Sequence, residues 1–162
     1  MAGSDRSIAR FEKKNTKIEH LFRNFSSTRV YVMLLTHGAH FATFNPIVFY
    51  KRLLDIKRSV AEYKKKSPAS MIVFKTFNYV RGDFKKLWST VSSFNAWRQR
   101  EMAFKVLGNA DLEIFDVWPM TTLAFDHMDV GNVHPGWGSS SPWLLSEIIN
   151  YFIDFLHSVD YI

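Results

Sequence analysis

The sequence predicts an α/β domain of three layers, a mostly parallel sheet flanked by helices. Three observations lead there. Helical and strand-like segments alternate along the chain, and alternation of this kind builds a parallel sheet covered on both faces. The strand-like segments Val30 to Leu35, Ser70 to Lys75 and Leu112 to Val117 are short and mainly apolar without strict polar alternation, as strands buried on both faces are. Helix-stop and helix-start residues punctuate the intervals between them.

Residues 8 to 25 place Ile8, Phe11, Ile18, Leu21, Phe22 and Phe25 at helical spacing, with Ser26, Ser27 and Thr28 as the break. Pro46 opens a second helix, since its missing N–H costs nothing in a first turn. That helix runs to about Lys66, where Ser67-Pro68 ends it. A third covers residues 84 to 106, with Leu87, Val91, Phe94, Trp97 and Phe104 as inward candidates and Gly108-Asn109 as the stop. Residues 118 to 141 read as irregular. Ser141 and Pro142 then open a last helix ending near His157.

Fifteen Phe and five Trp exclude a disordered chain. The 162 residues fit a single domain, residues 1 to 162. With no cysteine, disulfides, thiolate metal sites and a cysteine nucleophile are excluded. Met1 to Lys14 is too charged for a signal peptide. Trp143 to Leu156, interrupted by Glu147, Asn150 and Asp154, is too short and too polar to span a bilayer. The net charge of +6 is concentrated in residues 46 to 66, through Lys51, Arg52, Lys57, Arg58, Lys64, Lys65 and Lys66. That reads first as a solvated helix face, with a polyanion or protein contact as the alternative. Nucleic acid is not an expected partner. Nothing in the pattern specifies an oligomer.

Open parallel sheets bind ligands outside the carboxyl ends of their strands. The loops expected there carry His37, His40, Asn45, Asn78, Arg81, Asp116, Thr121, Asp126, His127, Asp129, Asn132 and His134. Gly136-Trp137-Gly138 falls short of a dinucleotide fingerprint, so no such cofactor is expected. His37 and His40 lack a third ligand, so no metal is expected either. His134 stands before the last helix with Asp126 and Asp129 close upstream, and a histidine base needs such a carboxylate on its other nitrogen.

Five segments, taken together, carry a family resemblance. They are YVMLLTHGAHF at 31 to 41, VFYKRLLDIKRSV at 48 to 60, SPASMIVFKTFN at 67 to 78, FDVWPMT at 115 to 121 and NVHPGW at 132 to 137. In this order the chain resembles the C-terminal domain of the NXPE family (neurexophilin and PC-esterase domain proteins) across about residues 8 to 157. The resemblance implies an SGNH-hydrolase-like fold and the cleavage or transfer of acyl esters, often acetyl groups on glycans, without a cofactor. It implies a secretory or extracellular setting for a full-length form. By position His134 matches the family histidine. Gly131 occupies the place of the Asp that often precedes it by three, which leaves Asp129, or Asp126, as orienter. Gly38, His40 and Asn78 match the oxyanion pocket. The Gly-Asp-Ser nucleophile of that superfamily is missing, since Gly3-Ser4-Asp5 has another order and precedes a helix. The expectation is a partial domain, lacking the first strand and the nucleophile segment, and an inactive relative of the esterases. His40 and His134 are expected to share one cleft.

Overall fold

The computed structural model describes residues 22, 29–36, 45–79, 92–124 and 142–159. Three strands, β1 (Val32–Thr36), β2 (Met71–Lys75) and β3 (Glu113–Phe115), form a parallel sheet in the order β1-β2-β3. Val32 pairs with Met71 and Val73 with Glu113, so Thr36, Lys75 and Phe115 line up at the carboxyl edge. Interleaved with them, among the described residues, are the helices α1 (Pro46–Lys64), α2 (Ser93–Leu107), α3 (Trp118–Leu123) and α4 (Pro142–Ser158). The three predicted strands exist, adjacent and parallel. The predicted first helix lies outside the described residues, except for Phe22, which is buried with its ring stacked on Tyr63 at 5.1 Å.

Helix α1 starts where Pro46 fixes the first turn and the Asn45 side chain accepts the Ile47 N–H at 2.9 Å. Its inward stripe is Phe49, Leu53, Ile56, Val60 and Tyr63, steps of three and four that keep one face on the sheet. Helix α2 begins at Ser92, whose hydroxyl accepts the Asn95 N–H at 3.2 Å. It stops at Gly108, where a Cβ would lie 2.6 Å from the Phe104 carbonyl oxygen. The inward face of α2 corrects the expectation. Ala96, Gln99, Ala103, Val106 and Leu107 are buried, while Phe94, Trp97 and Phe104 are exposed. Ala96 and Ala103 let α2 approach α1 closely, and the rings of Phe94, Trp97 and Phe104 are left exposed. The Phe104 ring is capped by the Arg100 guanidinium at 4.8 Å. Leu87 and Val91 lie outside the described residues.

The two sheet faces are covered unequally. Met33, Ile72, Phe74 and Phe77 pack with α1 and α2 into the larger core. On the other face, Met71, Val73 and Phe115 pack with Ile148, Phe152, Phe155 and Leu156 of α4. Rings of Tyr151, Phe152 and Phe155 surround Phe115 at 5.0 to 5.2 Å between centroids. The buried cluster on this face draws on β2 and β3 but takes no residue from β1. Val32 and Leu34 are accordingly 43% and 42% exposed. The expectation that β1 is buried on both faces therefore fails on this side, because among the described residues β1 lies at the edge of the sheet and α4 covers its neighbours.

At the amino edge, buried hydroxyls tie the strand starts together. Ser70 Oγ accepts the Tyr31 N–H at 3.1 Å and lies 2.7 Å from Ser67 Oγ and 3.3 Å from the Tyr63 hydroxyl. The Met71 N–H donates to the Tyr31 carbonyl at 2.8 Å. Helix α3 falls inside residues 118 to 141, which the sequence pattern gave as irregular.

Candidate functional site

The chain leaves β2 through Thr76, Phe77, Asn78 and Tyr79, and leaves β3 through Asp116 and Val117. Both exits are at the carboxyl edge, and side chains bind them to each other. The Thr76 hydroxyl donates to Asp116 Oδ1 at 2.7 Å and accepts the Val117 N–H at 3.0 Å. The Thr76 N–H donates to the Phe115 carbonyl at 3.0 Å, extending the ladder by one step. Thr121, fully buried on α3, accepts the Tyr79 N–H at 2.8 Å and donates to the Val117 carbonyl at 2.8 Å. Tyr79 meets Trp118 edge to face at 5.8 Å. Two loops and a short helix thus make one floor.

Two charged groups sit in this floor as a pair. Arg100 reaches across from α2, its Nε donating to both Asp116 carboxylate oxygens at 3.0 Å and its Nη2 to Oδ2. Asp116 Oδ1 also accepts the Trp118 N–H at 3.3 Å. Burial pushes the Asp116 carboxyl up. Hydrogen bonds from Arg100 and Thr76, the Arg100 charge and the Trp118 N–H outweigh it, so the net shift is downward. Arg100 is held above its ordinary value, first by its hydrogen bond to Asp116. The pair is ionised at neutral pH.

Lys75, the last residue of β2, is set differently. Its Nζ donates to Asn78 Oδ1 at 2.8 Å and to the Thr76 carbonyl at 3.3 Å. Burial lowers its pKa from 10.5 to about 8, because desolvation penalises the ammonium. An ammonium only donates, so the Asn78 atom facing it is the carbonyl oxygen.

Of the residues expected at a site, the structure brings Asn78, Asp116 and Thr121 to the carboxyl edge. Asn45 serves as the α1 cap. Gly38, His40, Asp129 and His134 lie outside the described residues, as do Arg81, Asp126 and the cleft expected between His40 and His134. Lys75, Thr76 and Arg100 are additions that sequence reasoning missed. A lysine ending an apolar run was the available signal for the first. Much of the basic charge on and just beyond α1 is engaged. Lys57 donates to the Val106 carbonyl at 3.2 Å, Lys64 lies 3.3 Å from Asp111, Lys65 pairs with Glu62 at 2.7 Å and Arg58 pairs with Asp55. Among the described residues no helix is long and apolar enough to cross a membrane.

Fold and site together define an α/β protein with a polar, charged floor at the carboxyl edge of a parallel sheet. The model of one family, described as NXPE family member 4-like, C-terminal domain, matches residues 6–155, and the chain belongs to that family. No curated protein and no solved structure matches it.

Proposed function

We propose that this domain follows the plan of SGNH and PC-esterase-type acyl-ester hydrolases or O-acetyltransferases acting on glycans, and that this chain binds such ligands without turning them over. The observation that carries the reading is the floor where Thr76 is bonded to Asp116 and Asn78 to Lys75, at the edge where ligands of open parallel sheets bind. Family membership supports the acyl-ester plan. In that plan His134 is the base, Asp129 its orienter, and Gly38, His40 and Asn78 the oxyanion pocket. A base accelerates acyl transfer when it has a positioned hydroxyl to deprotonate, and this sequence contains no Gly-Asp-Ser.

The test is hydrolysis of an aryl acetate and of acetylated sugars by the purified chain. The expected result is negligible turnover, unchanged by His134→Ala, and no labelling by a serine-directed covalent probe. Turnover well above imidazole alone, abolished by His134→Ala, overturns the inactive reading. Ser139 would then be examined first, as a serine near His134 in sequence.

A second reading makes the domain a non-enzymatic module whose helix α1 contacts a polyanion or a protein partner. Exposed Lys51, Lys65 and Lys66 favour it, and the carbonyl and carboxylate partners of Lys57, Arg58, Lys64 and Lys65 reduce its available charge. Binding to heparin that falls steeply with added salt supports this reading, and salt-independent or absent binding removes it.

A further inference from the structure

Asp116 and Arg100 neutralise each other, and among the described residues Lys75 has no such counterpart. The partners of its Nζ among the described residues are both neutral oxygens, Asn78 Oδ1 and the Thr76 carbonyl. No described carboxylate lies within ion-pair distance of it. An ammonium has three N–H donors, and the described residues account for two. In register beside it stand Thr36 on β1 and Phe115 on β3, and the strand behind it is buried from Met71 to Phe74. An uncompensated charge in such a place lowers stability, and an opposite charge brought to it relieves that cost.

We propose that Lys75 forms a binding site for a small anionic oxygen group, a carboxylate or a phosphate, on a ligand that approaches over the carboxyl edge of the sheet. Asn78 and the Thr76 carbonyl aim the ammonium. Arg100 does not serve in its place, because Asp116 and Glu101 already occupy its guanidinium. Burial brings Lys75 to about 8, so the amine is still mostly protonated at pH 7 and able to pair. An anion in contact would draw that value back up. The site requires neither His134 nor any turnover, so it stands or falls separately from the acyl-ester reading.

The experiment is a set of thermal melts of the full chain at pH 7, titrated with sodium phosphate or sodium acetate at constant ionic strength. Wild type is compared with Lys75→Met, which keeps the length without the charge, with Lys75→Arg, and with Lys51→Ala as a control on exposed α1. A saturable rise in Tm is expected for wild type, Lys51→Ala and Lys75→Arg, with affinity reduced about tenfold or more in Lys75→Met. A response to acetate alone assigns a carboxylate ligand, a response to phosphate alone assigns a phosphate, and a response to both assigns recognition of charge. Absence of a saturable rise with either anion overturns the proposal, as does a Lys75→Met response equal to wild type. If Lys75→Met does not fold, acetylation of wild-type lysines is followed residue by residue by mass spectrometry. Protection of Lys75 by the anion supports the site, and labelling of Lys75 at an unchanged rate overturns it.

Discussion

The two edges of the sheet are built from different chemistry. At the amino edge, Ser67, Ser70 and Tyr63 satisfy one another and the Tyr31 N–H with neutral hydroxyls, all in buried surroundings. At the carboxyl edge, the Asp116 carboxylate and the Lys75 ammonium stand at the strand ends, and the Arg100 guanidinium reaches Asp116 from α2. Neutral networks hold elements together without the desolvation penalty that ions incur. Asp116 and Arg100 compensate each other, whereas Lys75 carries the cost of desolvation. The contrast sets an amino edge fastened by neutral hydroxyls against a carboxyl edge built from charged groups.

Three substitutions sharpen or break that contrast. The largest effect is expected at Asp116. Asp116→Ala removes the acceptor for Arg100, Thr76 and the Trp118 N–H and leaves a partly buried guanidinium without its main partner. A loss of about 3 to 5 kcal/mol is expected in urea unfolding. Because its pKa is depressed in the folded state, the contribution of Asp116 is complete above the ordinary value of 3.8. It is lost as pH falls through the lower folded value. A loss under 1 kcal/mol would mean the pair only decorates the edge.

Lys75→Met acts in the opposite direction. The folded pKa of Lys75 lies near 8 and the ordinary value is 10.5. Between these values the unfolded chain binds more protons, so the wild type gains stability as pH rises across the window. Below it the penalty is complete, on the order of 3 kcal/mol at most. Lys75→Met should therefore be more stable than wild type at pH 7, less the two hydrogen bonds it gives up, and the advantage should vanish by pH 10.5. Equal stability at pH 7 and pH 10 would place Lys75 with the fastening residues. The smallest of the three effects is expected at Ser70. Ser70→Ala takes one acceptor from the Tyr31 N–H and one partner each from Ser67 and Tyr63, for about 1 to 2 kcal/mol. That loss should be constant from pH 5 to 9, since the hydroxyl network carries no charge.

Much of this fold is legible in the sequence because apolar runs and helix signals are local. Val32 to Leu35 and Met71 to Phe74 read as strands from composition alone, and Pro46 and Pro142 mark helix starts. Edge status is not local, so the exposure of Val32 and Leu34 was hidden until α4 took its place over β2 and β3. The inward face of α2 misled because hydrophobic size was weighed over fit. Helix α3 escaped notice because six residues with two threonines carry little helical signal. Asp116 ahead of Trp118-Pro119 was the one hint of a helix start. At the site, Asn78 and Asp116 were visible as polar residues after strands. Arg100 was not, since its bond to Asp116 crosses from a helix 16 positions upstream. Lys75 resembles any solvated lysine until the fold withdraws water from it.

The strand order has a kinetic consequence. Every ladder in the sheet joins distant parts of the chain, as Tyr31 and Ser70 are 39 positions apart and Thr76 and Val117 are 41. Helices α1 and α2 can form from local contacts, whereas β2 must capture one partner from upstream and one from downstream. Such loop closures precede the contacts that reward them and slow the search. Refolding should be slower than for a helical bundle of equal length. In stopped-flow traces Val73→Ala, which takes part in both pairings, should retard folding, while Phe152→Ala on α4 should chiefly hasten unfolding. The reverse pattern would mean that α4 docks before the sheet is complete.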